Sequence, residues 1–303
     1  MKRRVIQQGG KTLMVSLPIK WANKFNVNKG DELEIEDNDN KICFKAAENS
    51  KQGNSIKISL KELNERAIRY ILSSLHKKGY DELVIEYDKV QNIPIIEDLV
   101  HNLYVGFAVV EQTPVQLIVR CISQEMESEF DTALRRAFQV TLSMGSSIIE
   151  ALRKSEPIAQ FLSLEKTNNQ LTNFCERLLN KNPYLTPKNK AFLYVIAWNL
   201  EKVCDDYKYI CKLKLDHTRP ELLELFESVQ QLLRGYYMLF YKFDIKQISV
   251  LAELKKGTQE RGFELLESSK GAERQMVFYL IAAIMKIVEF SASITAVKYK
   301  LIN

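Results

Sequence analysis

Histidine is scarce in this chain. Only three occur in 303 residues, His76, His101 and His217, and they are scattered. A histidine-based zinc site or a histidine general base is therefore not expected. The five cysteines are odd in number and form no CxxC pair, so they read as reduced, mostly buried thiols. No uninterrupted apolar run reaches the roughly 18 residues that a membrane span needs. The basic N-terminus, MKRRVIQQGGKT, is followed by no apolar stretch; no secretory signal is expected, and a cytoplasmic setting is. No Walker loop, GxSxG or Cys/His dyad is recognisable, and the lone doublet Gly9–Gly10 cannot cradle a nucleotide by itself. The expectation is a protein that is not an enzyme.

What is present is a basic leading edge. Residues 1–24 hold six basic side chains (Lys2, Arg3, Arg4, Lys11, Lys20, Lys24) and no acid, while residues 25–50 hold three lysines against seven acids. A small nucleic-acid-binding module has this asymmetry, although an ordinary basic terminus has it too. The length fits two or three domains, and 46% apolar residues can build a sizeable core.

The local pattern divides the chain into three regions. Residues 3–7 and 12–17 suit strands around the glycine doublet, Pro18 opens a short helix over 19–25, and Asn26 suits its left-handed end. Asn28-Lys29-Gly30-Asp31 is a turn signature, ELEIE over 32–36 alternates strictly, and a turn over 37–40 returns the chain to KICFK at 41–45. So few residues make a poor core alone, so pairing with a second copy is expected. After a polar linker over 46–55, an α/β segment follows: strand 55–60, helix 61–78 closed by Gly79, strand 82–87, helix 96–104 and a hairpin of 106–110 with 115–121. From 123 onward six amphipathic helices are expected near 123–154, 158–181, 187–215, 219–242, 246–268 and 271–300, punctuated by prolines and Gly271. The fold class is multi-domain α+β: a small β head (1–48), an α/β middle segment (55–122) and an all-α tail (123–303) of two three-helix bundles. A faint repeat at a spacing of 84 aligns LEKVCD at 200–205 with IMKIVE at 284–289.

The order VIQQGGKTLMVSLPIKWANKF then NVNKGDELEIE, within residues 3–45, resembles the AbrB/SpoVT/MazE family of swapped-hairpin domains. That resemblance implies a dimer of interleaved hairpins that binds DNA. It points to Lys2, Arg3, Arg4, Lys11, Lys20 and Lys24 as phosphate contacts, which give affinity without sequence reading. Gln7 and Gln8 are the candidates for base edges, or else a solvated strand end.

Residues 123–303 resemble the PhoU family of phosphate-uptake regulators. LEKVCDDYKYI at 200–210 looks like that family's Glu-x-x-x-Asp helix, and EKTNN at 165–169 looks like its partner, with Asn169 where the family has a second carboxylate. An AbrB-like head on a PhoU-like tail is similar to the archaeal phosphate-uptake regulators. Glu201 and Asp205, four apart, share a helix face. With Glu165 they form a candidate metal site for Mg²⁺, Mn²⁺ or iron; the alternatives are a solvated acidic stripe or pairing with Lys202 or Lys208. In the repeat, Met285, Glu289, Ser249 and Glu253 stand at the places of Glu201, Asp205, Glu165 and Asn169, and Lys286 is expected to neutralise Glu289. Glu127 and Asp131 are read as surface acids, and the aromatic run Tyr207, Tyr209, Tyr236, Tyr237, Phe240 and Tyr241 as bundle packing.

These readings lead to a dimeric DNA-binding transcription regulator of phosphate uptake, whose helical tail senses a signal or binds a phosphate transporter subunit or sensor protein. The alternatives are an accessory protein that binds a transporter or kinase without specific DNA binding, and an antitoxin-like protein whose tail captures a toxin. A metal-dependent hydrolase stands well behind these, because acids without a nucleophile or base are not enough.

Overall fold

The computed structural model describes residues 2–38, 41–46, 54–123, 129–181, 187–215 and 217–299. The chain divides into two compact units, 1–53 and 54–303.

The first unit is a pair of hairpins around one short helix. β1 (Ile6–Gln8) pairs antiparallel with β2 (Thr12–Met14), and α1 (Ile19–Lys24) follows Pro18. β3 (Leu33–Asn38) pairs antiparallel with β4 (Lys41–Ala46). The left-handed positions fall where turn chemistry requires them, with φ of 52° at Asn26 and 98° at Gly30. The expected strand over 3–7 is corrected: the ladder begins at Ile6, so Arg3 and Arg4 precede it in unpaired chain. Residues 39–40 of the expected hairpin turn and 47–53 of the expected linker lie outside the described residues.

None of this unit's described side chains is buried. Ile35 stands directly across from Phe44 in the ladder, yet they are 62% and 39% exposed, and Leu13 and Ile19 are each 69% exposed. Such a density of uncovered apolar groups in so short a fold is what a subunit lacking its partner shows.

The second unit begins with a sheet covered on one face. β5 (Ser55–Ser59) runs parallel to β6 (Glu82–Glu86), and β8 (Gln116–Cys121) joins β6 and β7 (Phe107–Gln112) antiparallel, in the order β5-β6-β8-β7. Alternation along the central strands sends Leu83, Ile85, Leu117 and Val119 inward, against Ile68 and Leu72 of α2 (Glu65–Lys78) and Ile96 and Leu99 of α3 (Asn92–Asn102). The outer face carries ion pairs such as Arg120–Glu82 and Lys57–Glu86. α2 starts later than expected. Asn64 caps it by accepting the Ala67 N–H at 2.9 Å, and Glu62 before it sits at φ 64°. Gly79 ends α2 at φ 99°, and a Cβ there would meet the Lys181 side chain at 2.7 Å, so both the turn and the close approach of a tail helix call for glycine.

The tail holds α4 (Glu129–Arg153), α5 (Leu162–Lys181), α6 (Pro187–Cys211), α7 (Pro220–Tyr241), α8 (Lys246–Ser268), α9 (Gly271–Val288) and α10 (Phe290–Lys298). The expected last helix, 271–300, is thus two helices, broken at Glu289. α8 and α9 begin 84 residues after α5 and α6 respectively, the spacing of the sequence repeat. α4, α5 and α6 pack on one another, as do α7, α8 and α9, and the α4–α7 and α6–α9 contacts join the two sets. One continuous core runs through both, from Phe138 and Leu200 to Leu280 and Phe290. Tyr207, Tyr236 and Phe240 are buried in it, whereas Tyr209 is 40% exposed. The stretch Gly271–Lys298 is long and apolar enough to cross a membrane, with an 18-residue window of mean hydropathy 1.8, but half of that window is buried in the protein. Its buried residues, including Met276, Leu280 and Ile284, line the bundle core, where α9 packs along α6.

The sheet layer and the tail meet at the end of α2. His76 is fully buried there, stacked on Tyr104 at 4.2 Å, and neither ring nitrogen has a hydrogen-bond partner. Burial, reinforced by Arg177 and Lys77, holds its pKa well below the ordinary 6.5. A histidine kept neutral when folded charges only on unfolding. Stability from this group is therefore complete above pH 6.5 and falls as pH drops below it, by up to about 1.4 kcal/mol per pH unit for one proton. Chemical denaturation of wild type and His76→Phe between pH 7.5 and 5 is expected to show a shallower acid loss in the variant. Parallel curves would assign the acid sensitivity elsewhere.

Candidate DNA interface and carboxylate cluster

Lys2, Arg3, Arg4, Lys11, Lys20 and Lys24 are all exposed. Lys2, Arg3 and Arg4 lead into β1, Lys11 sits in the turn between β1 and β2, and Lys20 and Lys24 are one helical turn apart on α1, on one face. The Lys24 ammonium lies 5.3 Å from the Phe25 ring centre. The two glutamines do not act together. They are consecutive on β1, so they face opposite sides of the hairpin, Gln8 opposite Thr12 and Gln7 opposite Leu13. Gln7 also donates to the Gly10 carbonyl at 3.4 Å, a long bond across the turn, which leaves Gln8 the freer side chain for a base edge.

The carboxylates of the tail stand near one another, as their spacing implies, but lysines lie among them. Lys202 bridges Glu201 at 2.9 Å and Asp205 at 3.1 Å. Lys208 bridges Asp205 and Glu165, the latter at 2.8 Å. Asn169 donates to the same Glu165 oxygen at 2.7 Å. From α2, Lys77 reaches Glu176 at 2.9 Å and Glu201 at 3.4 Å, and the Tyr194 hydroxyl donates to Glu176 at 2.9 Å. Burial opposes both ammonium charges, yet Glu201 and Asp205 raise Lys202, and Asp205 and Glu165 hold Lys208 well above the usual lysine range. Asp205 is pushed up by burial but drawn down further by Lys208 and Lys202, ending below its ordinary value. Burial raises Glu176.

A divalent ion needs several oxygens turned toward one point. Here Glu201 and Asp205 share the Lys202 ammonium and Asp205 and Glu165 share that of Lys208, and no three His, Cys, Asp or Glu side chains gather as a metal requires among the described residues. In this arrangement the three carboxylates belong to a lysine-neutralised network. The pairing with Lys202 and Lys208, weighed as an alternative on the sequence, is the arrangement present.

The repeat departs further. Met285, at the place of Glu201, is 58% exposed, and Glu289 falls in the break between α9 and α10. Lys286 does not neutralise Glu289 as expected; it pairs with Asp206 across the bundle at 2.5 Å. Asp206 is 4% exposed, and burial, partly offset by Lys286, raises its carboxyl to about 6. Asp131 is an exposed acid paired with Arg135 at 3.4 Å, and Glu127 lies outside the described residues.

Arg177 escaped the sequence reading. It lies on α5 with its side chain fully buried, donating to the carbonyls of His76 at 3.0 Å and Tyr80 at 2.7 Å and pairing with Asp81. Its guanidinium stands 4.7 Å from the Phe107 ring centre. In NFCERLLNK nothing distinguishes it from a surface arginine; the one available signal is that the apolar stripe of α5 passes on both sides of it.

The head is thus two hairpins around a short helix, with basic side chains along the leading edge and apolar ones left uncovered. Residues 6–43 match the family model described as antidote-toxin recognition MazE, bacterial antitoxin. Domains of that kind typically bind DNA and dimerise, so the match points to a DNA-binding regulator or an antitoxin. No curated protein and no solved structure matches the chain.

Proposed function

We propose that this protein is a dimeric DNA-binding transcription regulator of phosphate uptake, with a non-catalytic helical body that senses a signal or binds a partner. The observation that carries the DNA part is the head itself: six exposed cations without an acid among residues 1–24, in a domain matched over 6–43. The phosphate part rests on the likeness of LEKVCDDYKYI and EKTNN to phosphate-uptake regulators. Coupling would act on dimer geometry, since two heads must meet two half-sites. A pull-down of genomic fragments with the full chain tests it. Enrichment of fragments upstream of phosphate-transport genes is expected; fragments recovered without any sequence preference would favour the accessory-protein reading.

The matched family's description favours a second reading, an antitoxin whose helical body captures a toxin. A small basic toxin encoded next to this chain and co-purifying with it would select that reading.

Dimerisation through the head makes its own prediction. Ile35→Asp places a charge on the uncovered apolar side, where burial without a partner costs several kcal/mol. Sedimentation of the full chain is expected to give a dimer, and of the variant a monomer. A wild-type monomer at micromolar concentration would contradict the swapped-hairpin arrangement.

A further inference from the structure

Within the second unit, a cleft of about 820 Å³ opens between α2 and α3 on one side and α5 and α6 on the other. That volume lies within the roughly 300–1,000 Å³ typical of small-molecule sites. Its walls carry five cations, Arg69, Lys77, Lys78, Lys166 and Lys202, against two acids, Asp98 and Glu201. Lys78 and Lys166 form no ion pair among the described residues. Arg69 is paired with Glu65 and Asp98, Lys77 with Glu176 and Glu201, and Lys202 with Glu201 and Asp205, so the charge left to attract an anion is that of Lys78 and Lys166.

Two more features narrow the class. Trp198 lies in this polar cleft with 42% of its surface exposed, and Tyr194 stacks beside it at 6.5 Å. Lys77 and Lys202 hold their ammonium groups 5.0 and 4.9 Å from its ring centre. An exposed indole flanked by cations suits a flat ring that carries negative charge. The second feature is a pair of unmet acceptors. Asn173 is 3% exposed, and its Nδ2 donates to the Asn169 carbonyl at 2.6 Å. Asn169 in turn spends its Nδ2 on Glu165. Those bonds fix both amides and leave each Oδ1 buried in the cleft wall without a partner. A buried acceptor left unpaired is costly and calls for a donor.

We propose that this cleft binds a nucleotide. The phosphate lies among the rim lysines Lys78 and Lys166, and the base against Trp198. The proposal is independent of whether the head binds DNA.

The sequence holds two tryptophans, so the full chain with Trp21→Phe reports from Trp198 alone. It is titrated with AMP, GMP, CMP and UMP, and with inorganic phosphate. A saturable fluorescence change is expected with at least one nucleotide in the sub-millimolar range. Phosphate at the same concentrations is expected to give none. Lys166→Glu, an exposed rim change, is expected to weaken binding about tenfold or more. No saturable response to any nucleotide up to millimolar concentration overturns the proposal. An equal response to inorganic phosphate also overturns it, since the ring would then play no part, as does an unchanged affinity in Lys166→Glu.

Discussion

Replacing Arg177 with Met is expected to cost about 3 kcal/mol of stability. The guanidinium closes the end of α2: it donates to the His76 carbonyl, which also accepts the Gly79 N–H, and to the Tyr80 carbonyl just beyond the helix, and it pairs with Asp81. With Met in its place, those carbonyls and the carboxylate lose their buried donors. Asp81 keeps Lys181 at 2.6 Å and is about one-fifth exposed, which places the cost at the low end of the range for a broken buried pair. Arg177→Lys recovers little, because one ammonium cannot reproduce a planar fork serving three acceptors. Guanidinium denaturation measures both. A loss under about 1 kcal/mol in Arg177→Met would show that the sheet layer and the tail are held by apolar contact alone.

Lys286→Met is expected to destabilise the tail by a similar amount, about 3 kcal/mol at pH 7, through a different route. Its removal leaves the Asp206 carboxylate buried without its counter-charge. The pH dependence identifies the cause. An acid whose folded pKa is raised, here to about 6, contributes most at low pH and loses that contribution as pH rises from its unfolded value through the folded one. Without Lys286 the folded pKa climbs further, so the gap between variant and wild type should be small near pH 4 and widen toward pH 7. Adding Asp206→Asn to Lys286→Met should restore most of the stability at pH 7. A double variant no better than the single one would mean that Lys286 acts through packing.

The helices were legible because their apolar spacing is regular and prolines or Gly271 stand at their borders. The head was legible because Pro18, Asn26 and Gly30 sit at positions where backbone geometry leaves few choices. The break at Glu289 was not, since VEF at 288–290 contains neither glycine nor proline. The strand at 3–7 was misplaced by a few residues because β pattern alone does not say where pairing begins. In the carboxylate cluster, the shared face of Glu201 and Asp205 follows from helical period, but the reach of Lys77 and Lys208 depends on which helices become neighbours. The same holds for Lys286. Its expected partner, Glu289, is close in sequence, while Asp206 is 80 residues away and comes near only because α6 and α9 pack together. Arg177 shows the limit most clearly, as a charge that lies inside because its acceptors come from the end of another helix.

DNA binding by the head is tested most directly by measuring affinity for a random duplex as salt is varied, in the full chain and in the Arg3→Ala, Arg4→Ala double variant. Each phosphate contact contributes close to one unit to the slope of log affinity against log salt. The wild type is expected to bind with a steep negative slope, and the variant, which loses two arginines from each protomer of the dimer, to bind more weakly with a slope smaller by about 4. Unchanged affinity and slope in the variant, or no salt dependence in the wild type, would contradict the assignment of this basic edge to DNA.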